Sequence, residues 1–175
     1  FIFKDSVVLI TKDYHILTDN MHYNSNSEVS FLFGPSFIIS DSETIYCENG
    51  WYNTKTGIAN FNKNTYIANK SSLLKGDSLY YNRNEQYGKA FSNVTLIDTI
   101  ENMTVSGGIA EYFEKEEKII ISKTPLLEIL FEEDTLFMHA NQFISQQKLG
   151  LKKMLAYNKV KFFKRDLQGK CDSLS

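Results

Sequence analysis

Proline is scarce in this chain, with 2 among 175 residues, and cysteine is equally scarce, with 2. Long apolar runs are missing: none approaches the ~20 residues that a membrane helix needs. Histidine is limited to His15, His22 and His139, which have no Cys or carboxylate at metal-ligand spacing. That leaves no metal site to predict. A net charge of -2 and a pI near 6.0 give no reason to expect nucleic-acid binding. Convincing helical periodicity is absent too. The best candidate, Gln146 to Tyr157 with Leu149, Leu151 and Leu155, reads as an inserted loop with at most one helical turn. Ser106-Gly107-Gly108 lacks the flanks of a nucleophile elbow or a phosphate loop.

What is plentiful is Tyr, Phe, Ile, Ser, Thr and Asn, a composition for strands and polar turns. These residues recur with a period. Tyr23, Tyr52, Tyr81, Tyr112 and Phe143 follow one another at spacings of 29, 29, 31 and 31. Seven places before each stands a branched apolar residue: Ile16, Ile45, Leu74, Val105 and Leu136. The first three aromatics are each followed by Asn24, Asn53 or Asn82. A second marker, Leu9, Ile38, Ile67, Leu96, Leu127 and Phe162, keeps the same register at spacings of 29, 29, 29, 31 and 35. A fixed period of this length marks stacked units, none of which can bury its apolar face alone. Function then belongs to a long shared surface and not to a point-like catalytic site.

Each unit reads as strands joined by turns. Ile45 to Tyr52 is a strand bent near Glu48-Asn49, residues 53–57 turn, Ile58 to Ile67 returns, and residues 68–72 turn again. Apolar and polar residues alternate, so one face is dry and the other wet. The array can close as a β-helix or fold as an open, twisted sandwich of antiparallel strands. Either way the markers form three inner columns, which serve as a sealed core or line an open trough. Cys47 and Cys171 fall at one repeat position four units apart, hence at least ~19 Å apart, beyond the ~7 Å reach of a disulfide. Both are expected to be free thiols at small positions. The chain opens within one unit and ends within another, which suggests a fragment of a longer array forming one domain over 1–175. No signal peptide is present, which leaves the compartment open. Glu111 to Asp134 is acidic and Lys148 to Lys170 basic, as solvated faces or as unlike ends that meet.

Asp19, Glu48 and Asp77 share the position four before the aromatic. In a β-helical enzyme acting on polysaccharide, such a ladder would bind calcium or supply acid and base. It breaks at Gly108 and His139, so bend-capping carboxylates are the simpler expectation and no catalytic residue is assigned.

Gly76-Asp77-Ser78-Leu79-Tyr80-Tyr81-Asn82, then Gly88-Lys89-Ala90, then Asn93-Val94-Thr95-Leu96, resembles the OstA-like repeat. Weaker copies are residues 48–53 with 57–59, and residues 19–24. The fourth and fifth copies depart, with Phe113 and Ile144 in place of Asn. The resemblance spans essentially the whole chain. The family includes a periplasmic lipopolysaccharide-transport protein and the N-terminal domain of its outer-membrane partner. The resemblance implies an all-β, repeat-built, solenoid-like β-jellyroll, an open trough of consecutive antiparallel strands. It implies a non-enzymatic carrier, periplasmic or associated with the outer membrane, that holds the lipid A part of lipopolysaccharide without a cofactor. Its partners would be other transport proteins of that type or further copies joined through terminal edge strands. The residues expected against acyl chains are Ile16, Tyr23, Ile38, Ile45, Tyr52, Ile67, Leu74, Tyr81, Leu96, Val105, Tyr112 and Leu127. A polysaccharide-active β-helix and a purely structural, adhesin-like stalk are the rival readings.

Overall fold

The computed structural model of the chain describes residues 1–12, 14–148 and 151–175. Strands follow one another almost without interruption: β1 (Ile2–Phe3), β2 (Val7–Ile10), β3 (His15–Asn24), β4 (Val29–Ile39), β5 (Thr44–Asn53), β6 (Ile58–Ala68), β7 (Ser72–Asn82), β8 (Tyr87–Asp98) and β9 (Met103–Phe113). A 3-10 turn at Glu114–Glu116 leads into β10 (Lys118–Ser122), β11 (Leu126–Leu130), β12 (Thr135–His139), β13 (Gln142–Lys148), β14 (Leu151–Lys164) and β15 (Leu167–Leu174). All pairings are antiparallel within one sheet, a meander and not a β-helix. The region from Gln146 to Tyr157, expected as a loop with a helical turn, is instead the β13–β14 hairpin; Leu149 lies outside the described residues. Its apolar spacing mimicked a helix because both strands are short of β-branched residues near their junction.

Each long strand is broken near its middle by a register shift, and the shifts line up: Thr18/Asn20, Phe33/Ser36, Tyr46/Asn49, Asn62/Thr65, Lys75/Ser78 and Phe91/Val94. On alternate strands the extra residues adopt left-handed backbone: Asp5-Ser6, Gly34, Lys63-Asn64, Ser92-Asn93, Lys123-Thr124 and Asn158-Lys159. Taking the first residue of each, the spacings are 29, 29, 29, 31 and 35, those of the Leu9-to-Phe162 marker. Such bulges bend a strand sharply. In line, they make a corner that runs along the sheet and folds it into two arms. Where the corner is complete, one strand becomes two, so β1/β2, β10/β11 and β12/β13 are each a broken rung. Val105, Leu127 and Val160 of one arm and Phe61, Leu79 and Phe143 of the other belong to one core.

Two inner rows explain the sequence period. In the second arm, Leu9, Ile16, Ile38, Ile45, Ile67, Leu74, Leu96, Val105, Leu127, Met138 and Phe162 are successive cross-strand partners. Two of the three expected columns are therefore one row, contributed alternately by odd and even strands. In the first arm the row is Tyr23, Ser30, Tyr52, Ala59, Tyr81, Gly88, Tyr112, Ile119, Ser145 and Met154. Leu136 and Phe143 do not hold the places assigned to them. Met138 and Ser145 do, two residues on, and Phe143 pairs with Ile121 and Ala156 deeper in the arm. A slip of two keeps the same face inward, so the pattern of burial concealed it.

Turn chemistry accounts for the Asn after each Tyr. The side-chain oxygens of Asn24, Asn53 and Asn82 accept from the backbone N–H groups two and three residues on, at 3.0–3.3 Å. Each turn then ends on a left-handed residue, Glu28, Gly57 or Gln86. Successive turns stack through Thr54 N–H to Glu28 O, Arg83 N–H to Gly57 O and Glu114 N–H to Gln86 O, each near 3.0 Å.

Candidate functional site

Near the corner the inner residues are small: Thr18, Ser36, Cys47, Thr65, Gly76 and Gly107. The arms converge there. A Cβ on Gly107 would sit 2.8 Å from Ile121 Cγ2. The polar members are satisfied locally: Thr18 and Ser36 share a hydroxyl hydrogen bond at 2.7 Å, and Thr65 Oγ1 donates to Gly76 O at 2.6 Å. Cys47 is a fully buried free thiol whose pKa burial pushes up to about 12. Cys171 is free as well, but lies exposed on β15.

Away from the corner the arms separate. Two Tyr of the first-arm row stand between small partners: Tyr52 between Ser30 and Ala59, Tyr81 between Ala59 and Gly88. The gaps over those partners leave a trough floored by apolar side chains. Toward its N-terminal half it opens into a cavity of about 190 Å³. Ile16, Ile38, Ile45, Tyr52 and Tyr81, five of the twelve expected residues, line it. Ile67, Leu74 and Leu96 are partly buried against the core nearby. Val105 and Leu127 are sealed, at 0% and 1% exposure, so the trough is closed at that level. Tyr23 is half-buried at the N-terminal end beside Phe1, with ring centroids 6.4 Å apart, and Tyr112 lies exposed on the rim.

The rim is polar. The Tyr81 hydroxyl donates to Glu114 Oε2 at 3.0 Å, and Tyr14 meets Tyr52 edge-on with centroids 6.5 Å apart. Burial, then the hydrogen bond and charge of Glu114, raise the Tyr81 pKa to about 12. Glu43 keeps one side open to solvent, yet protein around its carboxyl and the charge of Glu114 push its pKa up. Burial and Glu114 do the same to Tyr112. Arg83 and Ser40 complete the mouth. Sequence reading missed Tyr14, Leu32, Phe61, Glu43 and Arg83. Leu32 and Phe61 were reachable by stepping two residues from Ser30 and Ala59 along alternating strands. Tyr14, Glu43 and Arg83 lie in connections, where no period speaks.

The acidic ladder sits at the corner, outside the trough. Asn64 Nδ2 donates to Glu48 Oε1 at 2.5 Å and Asn93 Nδ2 to Asp77 Oδ2 at 2.9 Å. A Cβ on Gly34 would meet Asp19 Oδ2 at 2.5 Å, so Asp19 folds over that bend. These carboxylates cap bends, as expected. Among the described residues no group of three or more His, Cys, Asp and Glu is placed to hold a metal. No helix among them is long and apolar enough to cross a membrane.

Residues 1–77 match the model of a family described as OstA-like protein. The two inner rows continue past residue 77 through β8, β9 and their partners without a break. No curated protein sequence matches the chain. Among solved structures, LptH from Pseudomonas aeruginosa, described as the LptA homologous periplasmic component of the conserved lipopolysaccharide transport device, shares the fold. The TM-score is 0.53 at 10% identity, over 63% of this chain and 80% of that one. Residues 1–77 are thus similar to an OstA-like protein, and the chain shares the LptA-like β-jellyroll fold.

Proposed function

We propose that the chain is a periplasmic carrier in lipopolysaccharide transport, holding acyl chains between the arms of the sheet. The observation that carries this reading is the first-arm row, in which Tyr52 and Tyr81 alternate with Ser30, Ala59 and Gly88 beside an apolar cavity. Large rings flanking small gaps suit flexible methylene chains, and burial there is worth ~25 cal/mol per Å² of apolar area. The cavity, at about 190 Å³, is below the ~300–1,000 Å³ of ordinary ligand pockets, so a full lipid would part the arms. The work is done by shape and dryness, without covalent chemistry. That the family and the shared fold are those of transport proteins supports a carrier over an enzyme.

The sheet ends suit partners. Among the described residues β15 pairs with β14 alone, and β1 and β2 with β3 alone, so these strands offer backbone N–H and C=O groups to a transport partner or another copy. Of the twelve residues named from the sequence, Ile16, Ile38, Ile45, Tyr52 and Tyr81 are the first contacts, and Val105 and Leu127 support them from the sealed core.

Photo-crosslinking with lipopolysaccharide from positions 45 and 52 tests the reading. Crosslinks that Ile67→Asp or Tyr52→Asp reduces in a folded protein support it. Unchanged lipid binding by those folded variants would sink it.

A further inference from the structure

The corner changes character along its length. Beside the bends at Gly34, Lys63-Asn64 and Ser92-Asn93 lie Asp19, Glu48 and Asp77. Beside the next bend, Lys123-Thr124, the chain has Gly108, whose N–H donates to Lys123 O at 3.0 Å. A Cβ there would come within 2.8 Å of Lys123 Cβ, so no acidic side chain fits under this lysine. At the last bend, Asn158-Lys159, the neighbour is Asn141, whose N–H donates to Asn158 O at 2.9 Å. The acid caps thus end before the last two bends, which bear Lys123 and Lys159 without a carboxylate beneath them.

The change coincides with an open groove of about 900 Å³. Phe137 pairs with Phe163 and His139 with Lys161, on the face opposite the inward Met138 and Phe162. The groove therefore reaches the outer face, where Phe137 and Phe163 are 41% and 55% exposed. Lys123, Lys159 and Lys161 surround it, and no carboxylate is among its lining residues. Among the described residues, no carboxylate lies within ion-pair distance of these three lysines. Two of them stand on left-handed corner residues, which fixes their backbone before anything binds.

We propose that this groove is a second binding site, taking one anionic amphiphile with its phosphate or carboxylate among Lys123, Lys159 and Lys161 and its apolar body against Phe137 and Phe163. Three unneutralised cations ask for an anion, and two exposed rings ask for an apolar surface. A broad anionic membrane fits less well, because Glu128, Glu132, Glu133 and Asp134 lie on β11 and the following connection, beside the phenylalanines. A single molecule lodged in the groove keeps its anionic group among the lysines, where no carboxylate lines the groove. The site lies apart from the trough and does not depend on the carrier reading.

The test is titration of the full chain with dodecyl phosphate and, in parallel, the uncharged dodecyl maltoside, followed by backbone-amide NMR. Dodecyl phosphate should shift Phe137, His139 and Phe163, bind more weakly as salt is raised, and lose roughly tenfold or more in affinity in Lys123→Gln/Lys159→Gln/Lys161→Gln. Ile45→Asp should leave those shifts in place, separating this site from the trough. Salt dependence of the unaltered chain reads the same charges if the triple variant does not fold. Shifts confined to Ile16, Ile45 and Tyr52, equal binding of the maltoside, or unchanged affinity in the folded triple variant would overturn the proposal. So would binding of a Glu-rich peptide at the groove where dodecyl phosphate fails to bind.

Discussion

The Tyr81 hydroxyl reaches Glu114 at 3.0 Å, tying β7 to the turn that follows β9 and skipping the strand between them. The bond spans the rim of the trough and holds a phenol in its protonated form. Its folded pKa of about 12 exceeds the ordinary 10.0, so its contribution is complete below pH 10 and fades as pH rises toward 12. Tyr81→Phe should lower stability by about 0.5–1 kcal/mol at neutral pH, the low end of the range because the rim is wet. It should also flatten the alkaline loss of stability. Thermal melts across that pH range check both effects; an unchanged alkaline slope would count against the bond.

Acid acts on the same rim. Glu43 has a raised pKa, so folded protein holds this proton more tightly than unfolded chain does. Its contribution is greatest below the ordinary value of 4.5 and is lost as pH rises through the folded value. Glu43→Gln should therefore raise the melting temperature at neutral pH and lose that advantage near pH 4.5, as differential scanning calorimetry would show.

Lys63 adopts φ +61° at a bend, a conformation that costs an L-residue ~1–2 kcal/mol, partly offset by the entropy a glycine would lose. Lys63→Gly should stabilise the fold by up to about 1 kcal/mol, measured by urea denaturation. A loss of stability would mean that the side chain makes contacts outweighing the strain.

Two inward glycines should respond oppositely to alanine. At Gly50 a Cβ would lie 2.7 Å from both Asn60 O and Phe61 Cδ1, and Gly50→Ala should cost about 1–3 kcal/mol. At Gly88 the nearest atom is Tyr81 Cδ2 at 3.6 Å, and Gly88→Ala should be neutral or stabilise by about 0.4–1 kcal/mol. Denaturation midpoints of the two variants decide the matter.

Phe143, 1% exposed, packs within the core, whereas Tyr112 stands on the rim although the sequence aligned them. Phe143→Ala should cost about 3–5 kcal/mol. Tyr112→Ala should cost much less; comparable losses would contradict the two-residue slip.

Much of the fold was legible because repetition amplifies weak signals. One Tyr followed by Asn says little, but Tyr23-Asn24, Tyr52-Asn53 and Tyr81-Asn82 at equal spacing marked a row and the turn beside it. The strands read over Ile45 to Tyr52 and Ile58 to Ile67 fell within one residue of those found, Thr44–Asn53 and Ile58–Ala68. The corner was legible at one place, the bend near Glu48-Asn49, and hidden on the other strands, since no one residue type is common to Lys63-Asn64, Ser92-Asn93 and Lys123-Thr124 and all three lack the glycine that flags left-handed backbone. What they share is position, which the Leu9-to-Phe162 marker tracks four residues later. The fifth unit slipped because a displacement of two residues exchanges Met138 for Leu136, and either suits an inward place.

The corner recurs on every second strand, so one 29-residue unit adds two strands, or ~9.6 Å, to the length of the sheet. The chain is thus a ruler graduated in repeats. Duplicating a unit would lengthen its reach by a fixed step while every new side chain met neighbours it was already shaped for.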